Sequence, residues 1–149
     1  MKLSTRSRYG ARALIDITLN ANGRPVLLRD VARRQEISTM YLEHLITPLI
    51  SAGIIRSTRG AKGGVWLARP PADVKLTDVV RLLEGSMAPV ECVDDPNYCP
   101  RHASCVTREV WTELKLAMTK VLDRTTLEDL VERQKQKILE EPRASLYYI

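Results

Sequence analysis

Three cysteines lie close together in the second half of the chain, and the sequence contains no others. Six residues separate Cys92 from Cys99, and five separate Cys99 from Cys105. An odd number of cysteines in so short a stretch argues against a disulfide framework and is typical of a reducing compartment. Thiolates are soft ligands, so the spacing is compatible with an iron-sulfur cluster, a zinc ion or a metal-free thiol switch. Zinc usually takes cysteines two to four residues apart, so the spacing favours the cluster.

The residues around the cysteines predict a loop. Residues 86–105, here called the cysteine segment, contain three prolines and no helical period. A loop of this length inside a compact domain is usually functional or disordered. We predict that the segment binds the cluster and that residues 106–137 form a long helix and a terminal helix. We expect residues 138–149 to be a flexible tail.

The long predicted helix after the cysteine segment has an apolar stripe. Its members are Val110, Trp111, Leu114, Met118 and Val121. So apolar a face on a late helix requires a partner, which is either a second copy of the chain or the helix's own domain.

Residues 1–85 predict a winged helix-turn-helix domain, so the fold class is mainly α. Apolar residues three to four apart indicate the helices, and β-prone runs on either side of a glycine-rich loop indicate a hairpin. The predicted elements are helices over 8–19 and 29–35, a third helix capped by Ser38, strands over 54–58 and 65–68, and a helix that is capped by Thr77 and closed by Gly85.

The third helix and the hairpin tip carry candidate DNA contacts. The first turns of a helix that follows a helix-turn can enter the major groove and reach base edges. The candidates there are Ser38, Thr39, Met40, Tyr41, Glu43 and His44. Arg59 and Lys62 at the hairpin tip can contact phosphates or a narrow minor groove. The helix pair alone could equally be ordinary packed helices, but basic residues at a glycine-rich tip serve no packing need.

The charge distribution supports a polyanionic partner for the first half. Residues 1–84 carry 14 Lys and Arg against 7 Asp and Glu, whereas residues 85–149 carry 9 against 11. No apolar run approaches the length of a membrane span, and the first residues do not resemble a signal peptide, so we expect a cytoplasmic protein. The chain lacks a Cys-x-x-Cys pair, a nucleotide-binding glycine motif and a Ser-His set, so we do not expect an enzyme.

Several motifs together resemble the winged-helix transcriptional regulators of the IscR, NsrR and RirA type, and most of all the IscR type. The resemblance extends to about Lys137 and includes the cysteine triplet. The other matching motifs are residues 1–10, 37–38, 41–43, 59–64, 67–69, 77–80 and 84–85.

This resemblance implies a homodimer, paired through the helix after the cysteine segment, on a pseudo-palindromic DNA operator. It also implies a cluster, favoured here as 2Fe-2S, on Cys92, Cys99 and Cys105. The function implied is regulation of iron-sulfur cluster biogenesis genes, with cluster occupancy changing operator binding. The alternative is a repressor of the same fold that senses nitric oxide, iron or thiols.

The fourth ligand departs from the relatives. Where IscR-like proteins have a ligating histidine, this chain has Arg108, and where some NsrR-like proteins have an acidic ligand, it has Arg8. A guanidinium is a poor ligand because all its polar atoms are donors. We prefer Glu43 as the fourth ligand, because it would tie the cluster to the recognition helix, with His102 as the alternative.

Overall fold

Six α-helices and one two-stranded hairpin are the main elements of the part of the chain that the structure, a computed structural model, describes. That part comprises residues 3–60 and 62–144, with only the backbone for 141–144. The elements are α1 Thr5–Asn20, α2 Leu28–Gln35, α3 Thr39–Ser51, β1 Ile55–Thr58, β2 Gly64–Leu67, α4 Leu76–Glu84, α5 Val106–Asp123 and α6 Leu127–Ala144. None of these helices is both long enough and apolar enough to cross a membrane.

The helix-turn-helix is formed by α2 and α3, and it packs against α1. Glu36 ends α2 in a left-handed conformation, with φ of 55°, and its backbone N–H donates to the carbonyls of Ala32 and Arg33. The Ser38 hydroxyl then caps α3 by accepting from the backbone N–H of Tyr41 at 3.1 Å. The predicted Ser38 cap is therefore confirmed, and the direction of α3 is set by local hydrogen bonds.

The wing, formed by β1, β2 and the loop between them, is antiparallel, with Ile55 opposite Leu67 and Thr58 opposite Gly64. Val26 and Val65 exchange two backbone hydrogen bonds of 2.8 Å, which attach β2 to the chain before α2. At Gly64, whose φ is 151°, a Cβ atom would lie 2.6 Å from the Val26 carbonyl oxygen. Only glycine fits this close approach, so the register of the wing depends on it.

The rest of the fold places α5 apart from the main core. Gly10 allows close contact between α1 and α4, since a Cβ there would lie 2.2 Å from Leu83 Cδ1. Leu127 in α6 is anchored through its N–H to the carbonyl of Val74 at 2.8 Å. By contrast, none of the 18 residues of α5 is buried.

The mainly helical winged-helix fold predicted from the sequence is confirmed. One boundary was wrong, because α6 continues as a helix to Ala144 rather than giving way to a tail at residue 138. The rest of the predicted tail, residues 145–149, lies outside the described residues. Thr77 is also not the cap of α4, which begins at Leu76 after Lys75.

Candidate DNA-binding surface and cysteine segment

The first turns of α3 expose most of the predicted base-reading side chains. Thr39, Met40, Glu43 and His44 are all exposed, Met40 to 69%. Exposed side chains at the start of a helix can reach base edges in the major groove without a change in the structure of the protein. Ser38 is exposed too, but its hydroxyl is already used in capping α3.

Tyr41 differs from the other predicted contacts, because its side chain is engaged by α1. The ring is half-buried and lies edge-on to the Tyr9 ring, with 6.2 Å between ring centroids. Its hydroxyl donates to Thr5 Oγ1 at 3.2 Å. Tyr41 thus links the start of the recognition helix to the start of α1.

The basic residues of the wing are available to a polyanion. Arg59 and Lys62 are exposed on either side of Gly60, and Ala61 between them lies outside the described residues. The structure adds Arg56, an exposed residue of β1 opposite Trp66 that the sequence reasoning missed. The signal that could have found Arg56 was its place one residue after the buried Ile55, since side chains alternate along a strand.

Removing both basic residues of the wing tip is expected to weaken DNA binding, because contacts with the phosphate backbone would be lost. For Arg59→Ala/Lys62→Ala we expect about tenfold lower affinity at moderate salt. The plot of log affinity against log salt concentration should also become less steep, with the magnitude of its slope reduced by about two. Fluorescence anisotropy with a duplex that the protein itself selects from a random-sequence pool measures both quantities.

The matched control removes the same charge from the C-terminal end of α5 and its C-cap residue. Lys120 and Arg124 are exposed there, so Lys120→Ala/Arg124→Ala changes net charge equally without touching the wing. An equal fall in slope for both double variants would show that net charge, rather than the wing, governs binding.

Two polar contacts join the cysteine segment to α5, one a hydrogen bond and the other an ion pair. Arg108 Nε donates to the Cys92 carbonyl at 3.0 Å. Lys115 Nζ lies 2.5 Å from Asp94 Oδ1, and the Ser86 hydroxyl donates to the other oxygen of the same carboxylate. The hydrogen bonds from Lys115 and then Ser86 hold the pKa of Asp94 below its ordinary value. Arg108, which the sequence marked only as a departure, therefore holds the backbone of a predicted ligand.

The three cysteines are free thiols, and each is half-buried. Cys105 occupies the N-cap position of α5, and its Sγ lies 3.2 Å from Thr107 Oγ1. Hydrogen bonds from the Thr107 hydroxyl and the Arg108 backbone lower the pKa of the Cys105 thiol. The thiolate is the form that ligates metals and reacts with oxidants, so this position favours both chemistries.

The two candidate fourth ligands, His102 and Glu43, lie in different environments. His102 is half-buried in the cysteine segment, and its backbone N–H donates to the Cys99 carbonyl at 3.0 Å. Its ring atom Nε2 is buried and has no hydrogen-bond partner within the described chain. Glu43, by contrast, is exposed on α3. Among residues 3–60 and 62–144, no three Cys, His, Asp or Glu side chains lie close enough together to hold a metal ion.

The predicted apolar stripe of α5 divides between two environments. Val110 is 55% exposed and Val121 is 49% exposed, and Trp111 is also exposed. Leu114 and Met118 are half-buried. Met118 and Val121 line a groove of about 450 Å³ that also includes Leu3 and Met87.

An exposed recognition helix, a basic wing and a cysteine segment on a long helix define a winged helix-turn-helix transcriptional regulator. The family model described as "Rrf2: Iron-dependent Transcriptional regulator" matches residues 3–133. The chain belongs to this Rrf2 family of regulators, which confirms the resemblance seen in the sequence.

Individual relatives support the same assignment. The chain is 50% identical over 131 residues to protein rrf2 of Nitratidesulfovibrio vulgaris, covering 88% of this chain and 87% of that one. It resembles the structure of CymR, the global cysteine regulator of B. subtilis, at 36% identity and a TM-score of 0.74, covering 89% and 98% of the two chains. It also resembles T. potens IscR, at 37% identity and a TM-score of 0.75, covering 92% and 90%. The relatives whose names state a role are transcriptional regulators and not enzymes, in agreement with the sequence prediction.

Proposed function

We propose that this protein is an iron-sulfur-cluster-sensing regulator, in which loading of the cysteine segment changes operator binding. The observation that carries the proposal is the donor set: three free thiols in one segment, with a buried His102 nitrogen that has no hydrogen-bond partner among the described residues. Soft thiolates with one imidazole suit an iron-sulfur centre. The iron-dependent description of the family supports the same chemistry.

Cys92, Cys99 and Cys105 would hold the cluster, which we expect to be 2Fe-2S. His102 is now the better candidate for the fourth position, because a buried imidazole nitrogen without a partner carries a desolvation cost that ligation would remove. A bound cluster would supply redox chemistry and a covalent tie between the three thiolates. Arg108 would keep the Cys92 backbone on α5, and the Thr107 hydroxyl would favour the thiolate form of Cys105 by lowering the pKa of its thiol.

We further propose a cytoplasmic homodimer, paired through α5, on a pseudo-palindromic operator. The support is the exposure of Val110 and Val121 on a helix with no buried residue. A two-fold dimer would place two copies of α3 on half-sites about one DNA turn apart. Regulation of cluster biogenesis genes is the role that we propose for such a dimer.

A metal-free thiol sensor is the second candidate, and one observation favours it. The lowered pKa of Cys105, at the N-terminus of a long helix, is typical of reactive cysteines. One structural relative is named a global cysteine regulator. In this case oxidation of thiols, rather than cluster loading, would change the cysteine segment.

Anaerobic purification followed by absorption spectroscopy and iron and sulfide counts tests the proposal. We expect a coloured protein with equal amounts of iron and sulfide, and loss of the visible absorption in Cys92→Ser. His102→Ala is expected to alter the spectrum, whereas Glu43→Ala is not. His44→Ala is the matched control, because His44 is the chain's other histidine and is exposed on α3.

The same preparations separate the two candidates. A colourless wild-type protein after reconstitution with iron and sulfide would favour the thiol sensor. A coloured Cys92→Ser protein with the wild-type spectrum would rule Cys92 out as a ligand. Operator affinity that is the same for loaded and cluster-free wild type would contradict sensing altogether.

A further inference from the structure

We propose that Glu84, Ser4, Thr5 and Tyr41 form a hydrogen-bonded connection that transmits the arrangement of the cysteine segment to the recognition helix. These are positioning residues for DNA reading. The inference rests on the proposed function only for the assignment of residues 86–105 as the sensing segment.

The connection begins where the cysteine segment leaves α4. Asp94, held by Lys115 of α5, accepts a hydrogen bond from the Ser86 hydroxyl. Gly85 separates Ser86 from Glu84 and has a φ of 83°, a conformation that residues with a side chain rarely adopt. A shift of the segment at Asp94 therefore acts on the last residue of α4 through two residues of backbone.

Glu84 passes any such shift to the start of α1. Its Oε1 accepts from both the backbone N–H and the hydroxyl of Ser4, each at 2.8 Å. Ser4 is the N-cap of α1, where its hydroxyl also accepts from the N–H of Arg6. Burial raises the pKa of Glu84, but the hydrogen bonds that it accepts outweigh this effect and leave the pKa lowered, so Glu84 is ionised at neutral pH.

Thr5 and Tyr41 complete the connection to α3. Thr5 follows the Ser4 cap, and its Oγ1 accepts from the Tyr41 hydroxyl at 3.2 Å. The Tyr41 backbone N–H in turn donates to the Ser38 cap of α3. The side chain of Tyr41 thus lies between the start of α1 and the turn that presents Thr39 and Met40 to DNA.

A double-mutant cycle in cluster-free protein tests the connection. Asp94→Ala releases the cysteine segment, and Thr5→Val removes the acceptor for Tyr41 while keeping the size of the side chain. Affinity is measured for a duplex selected by the wild-type protein from a random-sequence pool. We expect Asp94→Ala to change affinity roughly fivefold in wild type. In the Thr5→Val background the same change should have almost no effect.

Rescue and control variants separate positioning from general damage. Thr5→Ser keeps the hydroxyl and should restore the response to Asp94→Ala. Tyr41→Phe should abolish the response as Thr5→Val does. Glu132→Gln breaks an exposed ion pair of α6, 2.6 Å from Lys135, and should leave both affinity and response unchanged.

The outcomes that overturn the connection differ from those that overturn cluster sensing. An Asp94→Ala effect of equal size in the Thr5→Val and wild-type backgrounds, or no effect in either, would overturn the connection. Because every protein in the cycle is free of cluster, these results do not depend on whether the wild type binds one. If the protein is colourless and Thr5→Val still abolishes the effect of Asp94→Ala, cluster sensing is contradicted while the connection is supported.

Discussion

Arg34→Met is expected to lower the free energy of unfolding by about 3 kcal/mol, equivalent to roughly 10 °C in Tm. The cause is the carboxylate of Asp16 in α1, which is only 6% exposed. Arg34 of α2 binds it through two nitrogens, with Nη2 2.6 Å from Oδ1 and Nε 2.9 Å from Oδ2. Without Arg34 the buried carboxylate loses its counter-charge, and this loss costs far more than an exposed ion pair contributes.

The neighbours of this ion pair cannot replace Arg34. Gln35 Nε2 donates to Asp16 Oδ2 at 3.0 Å, and Gln35 Oε1 is already the acceptor for Arg12. The amide of Gln35 is neutral, so its hydrogen bond satisfies a lone pair of the Asp16 carboxylate without compensating the negative charge. The hydrogen bond with Asp16 also raises the pKa of Arg34, which is consistent with a pair that is strongest when both groups are charged.

The adjacent arginine provides the matched control for thermal or urea unfolding. Arg33 lies 3.8 Å from Asp30 in an exposed pair, so Arg33→Met should cost less than about 0.5 kcal/mol. The double variant Asp16→Leu/Arg34→Met should recover much of the loss, because apolar residues can replace a buried ion pair. Equal losses for Arg33→Met and Arg34→Met would contradict the assigned role of the buried pair.

Val110→Glu/Val121→Glu is expected to raise the dissociation constant of the proposed homodimer by about 100-fold or more. Both residues lie on the exposed apolar side of α5, 55% and 49% exposed in the single chain. In a two-fold dimer each substitution occurs twice, so four carboxylates would be placed in one apolar contact. Because an operator of two half-sites needs both copies of α3, affinity for the selected duplex should fall with dimerisation.

Leu116→Glu is the control within the same helix. Leu116 is 63% exposed, but helical geometry turns it more than 100° away from Val110 and Val121. Sedimentation velocity should show a monomer for the double variant and an unchanged dimer for Leu116→Glu. Dissociation of the dimer by Leu116→Glu alone would place the interface on the other side of α5.

The local structure of the DNA-binding half was predictable from the sequence. The Ser38 cap, the hairpin around Arg59–Gly64 and the helices before them each depend on residues within a few positions of one another. Capping, helical period and turn chemistry act at that range, so they can be identified in a single sequence. The family resemblance was predictable for the same reason, because its motifs are short and continuous.

The partners that hold the helices together were not predictable. Asp16 and Arg34 are 18 residues apart, and nothing in their local spacing distinguishes a buried bidentate pair from two surface charges. The Ser4 and Glu84 contact spans 80 residues. Such pairs form only when packing brings two elements to one distance and one orientation, which no local pattern encodes.

The cysteine segment shows the division most clearly. The three thiols, their spacing and the soft-ligand chemistry that they offer were determined by the sequence alone. Only the tertiary structure decided that Arg108 holds the Cys92 backbone, that the Cys105 thiol contacts the Thr107 hydroxyl and that His102 Nε2 is buried without a partner among the described residues. Residue type sets which chemistry a group can perform, whereas burial and distant hydrogen bonds set which of its atoms remain free to perform it.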